Sequence, residues 1–515
     1  MYLAPQHRQR LLDGNHLKLN QFLMGLLLFA VCTSTASGQT KSKLREGALG
    51  AGTTWETRWH IMETGVPGPT VLIVGGIHGN EPAGFRAADQ IRHWPIKRGK
   101  LIVIPQVNRL GVEANIRWSP DHRNDREARD LNRNFGTLDQ PKPRTEHCRA
   151  VWGFIESERP EWIFDLHEGF DFHRVNPKSV GSSVIAFPDQ TKFAAKLQAA
   201  VNERIPQELQ FDLLDRSGPV VGSLARAGRE KLGANSFILE TTFKDQPISK
   251  RTRQHRMMVS TALLELGMLQ DVQVDCLMPK SSSDCLRVGV FDAAGASESK
   301  VMRVLDPADN LVATVFGPDD VKMEVLSHLD VLIFPGGSGS AQGKAIGSEG
   351  REVIRNYVKS GGGVIGICAG AYLCSSHYQW SLNLMNAKVF NVMVDVPELG
   401  RKSMWYRGKA ANVEVEVNEN GKPVLGISGK HTIRYQNGPI LSRGDRPDLP
   451  EFSTLAHFRT ENGIYEAQKN TMVNAPAVVE SQFGKGRVIA ISPHFESTKN
   501  YGKVILDAVN YVKRR

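Results

Sequence analysis

His78 and Glu81 place an imidazole and a carboxylate three residues apart on one short stretch, VLIVGGIHGNEPAG, Val71–Gly84. Together they supply two thirds of a His₂Glu set, the donor combination of a catalytic zinc site that keeps its fourth position for water. A lone H-x-x-E is more often a loop histidine beside a solvated glutamate, so the rest of the chain must decide. The third donor is His167, at the end of the apolar run WIFDL and followed by Glu168-Gly169. Asp165 and Glu168 flank it, and a carboxylate beside a ligating histidine orients the ring; spacing does not choose between them. Glu240 ends another apolar run, SFIL. A carboxylate there can take the proton from an attacking water and later pass it to a leaving nitrogen. Asn132 and Arg133, in DLNRNF, are adjacent donors, and the arginine fork matches a substrate carboxylate. Arg126 and its neighbour Arg123 are alternative candidates for polarising a scissile carbonyl.

A second cluster lies far downstream. Gly363–Ile367 (GVIGI) reads as a buried strand that ends at Cys368, with Ala369-Gly370-Ala371 allowing a sharp turn into a helix. That is a nucleophile elbow with cysteine in the place of serine. His494 and Glu496, in SPHFE, follow a hairpin across GKG and complete a nucleophile, base and orienting carboxylate. Cys374 reads as a buried helix thiol.

These residues need strand ends to hold them. Val71–Val74 is an all-apolar strand stopped by Gly75 and Gly76, Ala83–Trp94 a crossover helix, and Leu101–Pro105 the next strand. Alternation of this kind predicts an α/β fold with a largely parallel sheet and ligands at the carboxyl ends of its strands. Arg251–Met268 carries a helical apolar pattern that closes the first domain. Val272–Cys285, with Pro279 and three serines, reads as a linker. Strands Leu286–Phe291 and Asp330–Phe334 then open a second α/β domain.

The chain of 515 residues is 41% hydrophobic and 23% charged, with room for two or three domains. Its formal net charge of +10 is dispersed, with no run of five basic residues, which argues against a nucleic-acid arm and suits an anionic substrate. Residues 1–38 read as an export signal: Arg8, Arg10 and Lys18, the ten apolar residues Phe22–Val31, and Ala36-Ser37-Gly38 before Gln39. The apolar core is too short to span a bilayer, so no stable membrane span is expected after its removal. Lipoprotein anchoring at Cys32 is the second reading; Cys276 and Cys285 either bridge, as an oxidising compartment allows, or stand as two unpaired thiols.

HGNE, DLNRNF, DLHEG and ILET, in this order, resemble the zinc carboxypeptidase superfamily, in particular its succinylglutamate desuccinylase/aspartoacylase branch, over roughly residues 53–269. The resemblance implies zinc held by His78, Glu81 and His167, a carboxylate clamp of Asn132 and Arg133, and Glu240 as general base. FPGG, GICAGAYL and GKGRVIAISPHFE resemble the class I glutamine amidotransferase-like fold, nearest to the domain at the N-terminus of some biotin–protein ligases. By that resemblance Gly336 and Gly337 lie near an oxyanion site, and the second sheet is flavodoxin-like with a β-rich insertion at about residues 388–465. The expected architecture is therefore a signal (1–38), a desuccinylase-like three-layer α/β domain (39–271), a linker (272–285) and an amidotransferase-like three-layer α/β domain (286–515).

The function expected is that of an exported zinc hydrolase, in the periplasm or outside the cell. It cleaves an amide bond in a peptide or small molecule bearing a free carboxylate. The alternative is a ligand-binding or regulatory protein whose second domain is non-catalytic or a cysteine hydrolase. Each domain holds its own set of catalytic roles, so the two sites are expected to work independently.

Overall fold

The apolar runs before His78, His167 and Glu240 become three adjacent parallel strands. In the computed structural model, residues 43–203, 205–269, 285–308 and 310–514 are described. The first sheet has eight strands: β1 (Lys43–Leu49), β2 (Thr57–Glu63), β3 (Thr70–Gly75), β4 (Lys100–Ile104), β5 (Trp162–Gly169), β6 (Ser183–Ile185), β7 (Asp212–Leu214) and β8 (Asn235–Thr242). Their order is β1-β2-β4-β3-β5-β8-β6-β7. The central β4, β3, β5 and β8 run parallel, while β1, β2 and β6 pair antiparallel with their inner neighbours. From β3 the chain crosses to β4 on one side and then returns to β5 on the other. The carboxyl end of β3 is thus a topological switch point, where open α/β sheets hold ligands.

Helices cover both faces. Pro82–Ile91, Thr191–Asn202 and Ile248–Glu265 pack on one face of the sheet, and Glu146–Glu158 and Leu224–Leu232 on the other. Val71–Val74 are fully buried between the two layers, as their unbroken apolar run requires. This is the mixed three-layer sheet expected for the first domain.

The second sheet comprises β9 (Leu286–Phe291), β10 (Leu311–Phe316), β11 (Val331–Phe334) and β12 (Gly363–Ile367), then a region of short strands. There β13 (Ala387–Val389) pairs with β18 (Leu441–Arg443), and β14 (Met393–Val396) with β15 (Gly400–Ser403). Strands β16 (Ala411–Val417), β17 (Gly429–Tyr435) and β19 (Ser453–Phe458) instead join the main sheet beside β20 (Pro476–Phe483) and β21 (Gly486–Ile491). The nine strands run β10-β9-β11-β12-β21-β20-β19-β16-β17, parallel as far as β21 and antiparallel beyond it. The β-rich insertion is therefore in large part a continuation of the sheet.

The two sheets are docked. The helices Pro82–Ile91 and Ile248–Glu265 lie against β10 at the edge of the second sheet, and the contact is polar. Arg86 makes two hydrogen bonds to Asp306, of 2.8 and 2.9 Å. Gln90 donates to Thr314, and Arg256 donates to Gln90 and, at 2.9 Å, to Asp320. Arg256 and Asp320 are both wholly buried.

The expected leader, Cys32, Cys276 and with it the expected pairing to Cys285, and nearly all of the linker lie outside the described residues. Among the described residues no helix is long and apolar enough to cross a membrane.

Candidate metal centre and cysteine site

Gly76, at φ 65°, turns the chain out of β3, and the N–H groups of Val107 and Asn108 bond to the carbonyls of Gly75 and Gly76. This ties the His78 loop to the loop after β4. Gly79 packs against backbone there, since a Cβ on it would sit 1.9 Å from the Gly111 carbonyl carbon. Pro82 at the first helical position starts the next helix, so Glu81 falls at its N-cap with its side chain turned inward.

The ligand atoms of His78, Glu81 and His167 converge within 4.8 Å of one another, and all three residues are buried. Glu81 lies between the two rings: Oε1 is 2.8 Å from His78 Nδ1 and Oε2 is 2.8 Å from His167 Nδ1. Each ring presents its far nitrogen to a carboxylate, His78 Nε2 to Asp130 at 3.0 Å and His167 Nε2 to Asp165 at 3.0 Å. Such partners fix the ring plane and raise ligand basicity. Two neutral-capable nitrogens and a carboxylate, each already oriented, fit a divalent ion of borderline hardness such as zinc.

The electrostatics follow from this crowding. Burial opposes ionisation of Glu81, yet His78 and His167 hold its carboxyl well below the usual range. Burial also opposes protonation of His167, but Asp165 and Glu81 hold the imidazole well above its ordinary value. Asp130 is likewise held low by His78 and Arg117 against the effect of burial. Glu240 is the contrast: burial pushes its carboxyl up to about 8, and its Oε2 has no hydrogen-bond partner among the described residues. An orphaned buried carboxylate oxygen beside three converging donors is a further reason to place a ligand there.

The centre forms the floor of a cleft of about 1270 Å³. Glu240, Asn132, Arg133 and Arg117 line it, with Lys178 and Arg216 farther along and Phe170, Val220, Val221 and Phe243 at its exposed apolar rim. Asn132 is engaged at both ends: Nδ2 is 3.1 Å from His167 Nε2, and Oδ1 accepts from the Leu224 N–H at 3.0 Å. It thus holds the start of the Leu224–Leu232 helix and packs against the His167 ring, while the exposed Arg133 side chain faces the cleft.

The arginine expectation is corrected. Arg123 and Arg126 are exposed and line no part of the cleft. The reason is local: Ser119 N–H bonds to the Arg129 carbonyl and Arg129 N–H to the Asp125 carbonyl, which closes the loop on itself and turns its tip outward. Arg117, before that loop, reaches the centre instead, 2.9 Å from Glu81 Oε1 and 3.5 Å from Asp130 Oδ2. Nothing in its spacing marked it. Asp130 could have been found, since it opens the DLNRNF motif. Of the two candidates beside His167, Asp165 is the one that faces the ring, 3.0 Å from Nε2. Glu168 turns away to the Ala83 N–H, at 2.8 Å, and to Arg251.

In the second domain Cys368 adopts φ 50° and ψ −100°, a conformation few non-glycine residues take, between β12 and the helix Ala369–Cys374. His494 Nδ1 lies 2.7 Å from Glu496 Oε1. Burial would lower the His494 pKa, but Cys368 and Glu496 raise it to about 10. Gly336 stands against both residues: a Cβ on it would be 3.1 Å from His494 Cε1 and 3.7 Å from the Cys368 Cβ. The structure thus brings Cys368, His494, Glu496 and Gly336 together. A loop of the insertion lies over them, with the thiol donating to the Gln436 carbonyl at 3.4 Å. Cys148 and Cys374 are buried thiols that burial pushes up to about 12.

Among solved structures, the tripeptide-bound cell shape determinant Csd4 of Helicobacter pylori is similar, with a TM-score of 0.35 and 18% identity. The match covers 48% of this chain and 66% of that one, so this chain spans just under two thirds of its length. An aspartoacylase family protein from Mesorhizobium loti matches with a TM-score of 0.33 and 20% identity, over 44% of this chain and 68% of that one. A succinylglutamate desuccinylase/aspartoacylase from Rhodobacter sphaeroides matches with a TM-score of 0.31 and 21% identity, over 42% and 60%. No curated protein sequence matches the chain. Residues 67–242 match the family model of the succinylglutamate desuccinylase/aspartoacylase catalytic domain, and residues 286–512 that of the biotin-protein ligase N-terminal domain. The chain therefore carries a domain of the succinylglutamate desuccinylase/aspartoacylase catalytic family followed by a domain of the biotin-protein ligase N-terminal family.

Proposed function

We propose that the first domain is a zinc-dependent hydrolase of an amide bond in an N-acyl amino acid or peptide bearing a free carboxylate. The observation that carries the reading is the convergence of His78, Glu81 and His167 on the floor of the cleft. When bound there, a divalent ion supplies Lewis acidity that activates water and polarises a carbonyl. The chain's own residues provide the rest. Glu240, beside His167, takes the proton of the attacking water and delivers it to the leaving nitrogen. Arg117 faces the charge that develops on the carbonyl oxygen. Arg133 binds the substrate carboxylate through its planar fork. Arg133, Lys178 and Arg216 along the cleft offer cationic partners to an anionic substrate, in keeping with the net charge of +10.

Metal analysis of the purified chain, with hydrolysis assays on a panel of peptides and N-acyl amino acids, tests this reading. A chain that retains no divalent ion and cleaves nothing on the panel would sink it. Export through the leader at residues 1–38 belongs to the same proposal. The mature protein recovered outside the cytoplasm is expected to begin at Gln39 on N-terminal sequencing, and an uncleaved Met1 would remove export from it.

A second reading applies to the other domain. The assembled Cys368, His494 and Glu496 favour a cysteine nucleophile there rather than an inert scaffold. Mass spectrometry after treatment with a thiol-directed amide analogue is expected to show modification at Cys368 that His494→Ala suppresses. Equal modification of both proteins would leave the scaffold reading standing.

A further inference from the structure

The metal ligands are held in place by a chain of contacts that leaves their own domain. Glu81 Oε2, besides facing His167, accepts the backbone N–H of Glu168 at 3.1 Å. The Glu168 carboxylate accepts the N–H of Ala83 at 2.8 Å, two residues beyond Glu81. Glu168 therefore fastens the Glu81 loop to the strand that carries His167. It is buried, and a buried carboxylate needs a partner; Arg251, itself buried, donates to Glu168 Oε1.

Arg251 stands in the first turn of the helix Ile248–Glu265, and that helix has no cap of its own. Its N-cap residue is Pro247, which offers no side-chain acceptor. The cap comes from the second domain. Asp292, at the carboxyl end of β9, accepts the N–H of Ser249 through its carboxylate and the Ser249 hydroxyl, at 2.6 Å, through its carbonyl oxygen. Gly317 makes room for this approach, since a Cβ there would lie 2.5 Å from Ser249 Oγ. A carboxylate at a helix N-terminus satisfies free N–H groups and meets the positive end of the helix dipole. Asp292 is 5% exposed, so water does not substitute for it readily.

We propose that Asp292 is a positioning residue for the metal centre of the other domain. By capping the helix Ile248–Glu265 it sets Arg251 against Glu168, and Glu168 holds the Glu81 loop and the His167 strand in register. The desuccinylase-like domain is then incomplete without the domain that follows it, against the independence expected from sequence. The proposal rests on the metal reading above.

The test uses the full chain and Zn²⁺ affinity measured by competition with a chromophoric chelator. Arg251→Met and Asp292→Ala are each expected to weaken Zn²⁺ binding about tenfold or more, the range for residues that orient metal ligands. Arg251→Lys is expected to recover part of the loss. Asp306→Ala, which breaks the Arg86 pair at the same interface but does not touch the helix, is expected to leave affinity unchanged. The double variant Arg251→Met/Asp292→Ala is expected to bind no more weakly than Arg251→Met alone, because both act through one path. Unchanged affinity in a folded Asp292→Ala, or additive losses in the double variant, overturns the proposal. If Asp292→Ala does not fold, Ser249→Ala carries the same prediction with a smaller loss. If the parent chain binds no Zn²⁺, the metal reading fails, and hydrogen exchange at the Glu168 and Ala83 amides decides the coupling. Faster exchange in Ser249→Ala supports it, and unchanged exchange overturns it.

Discussion

Glu240 and His167 stand directly opposite each other on the neighbouring parallel strands β8 and β5. Their side chains therefore project to the same side at the same height, one as a candidate ligand and the other as a candidate base. Glu240→Gln is expected to keep the metal and lower turnover by roughly 10²–10⁴-fold, because an amide cannot accept the proton. Turnover measured at matched zinc occupancy checks this; near-normal rates would move the base elsewhere.

The ligand set makes a graded prediction. His167→Ala is expected to abolish metal retention, since it leaves two protein donors where three are needed. Asp130→Asn, which removes no ligand but weakens the support of His78 along with the Arg117 pair, is expected to lower affinity by about 10–100-fold. Metal content after dialysis and chelator competition distinguish the two grades.

Arg117 and Arg126 separate by position. Arg117→Met is expected to lower the rate by about 10²–10³-fold with modest change in KM, as for the loss of one donor to a developing oxyanion. Arg126→Met is expected to leave both parameters unchanged. The reverse result would restore the arginine expected from sequence.

Glu298 sits at the domain junction beside Asp292, where burial and that second carboxylate raise its pKa from 4.5 to about 7, partly offset by Arg86. Below pH 4.5 folded and unfolded chains both hold the proton, so the group is neutral to stability. From there to about pH 7 only the folded chain holds it, and stability falls as pH rises. The full penalty, on the order of 3 kcal/mol, is present above that range. Glu298→Gln is expected to flatten this decline. Urea midpoints at pH 5 and pH 8 measure it, and parallel curves for both proteins would count against the assignment.

Cys368→Ala is expected to leave metal affinity and cleft hydrolysis unchanged. The contacts from Asp292 through Ser249 and Arg251 to Glu168 do not include the thiol. A loss of either property on this substitution would show that the cysteine site reaches the metal centre by another route.

What could be read from the chain follows from locality. His78, His167 and Glu240 each follow an apolar run, and a residue at the end of a strand is placed by that strand alone. The same holds for Cys368, whose elbow is built from its immediate neighbours. Arg117 is different, because its place depends on how residues 119–129 fold back on themselves through two backbone hydrogen bonds. Spacing does not choose between Asp165 and Glu168 as partners of His167, since both lie within two residues of it and they take opposite faces of the strand. The cap on Ser249 joins segments 43 residues apart through polar atoms, so no hydrophobic period announces it.

The buried Arg256–Asp320 pair also bears on how the protein is made. Synthesis delivers the first domain while Asp320 is still to come, and at that stage the face carrying Arg86, Gln90 and Arg256 remains wet. A half-made chain with a charged face, rather than an apolar one, offers little for other nascent chains to adhere to. Once the second domain closes over it, Arg256 tolerates no mate lacking a matching acid, because a guanidinium sealed in without its partner costs about 3–5 kcal/mol. The junction thus trades adhesive strength for fidelity: it waits in water for one surface and rejects the rest.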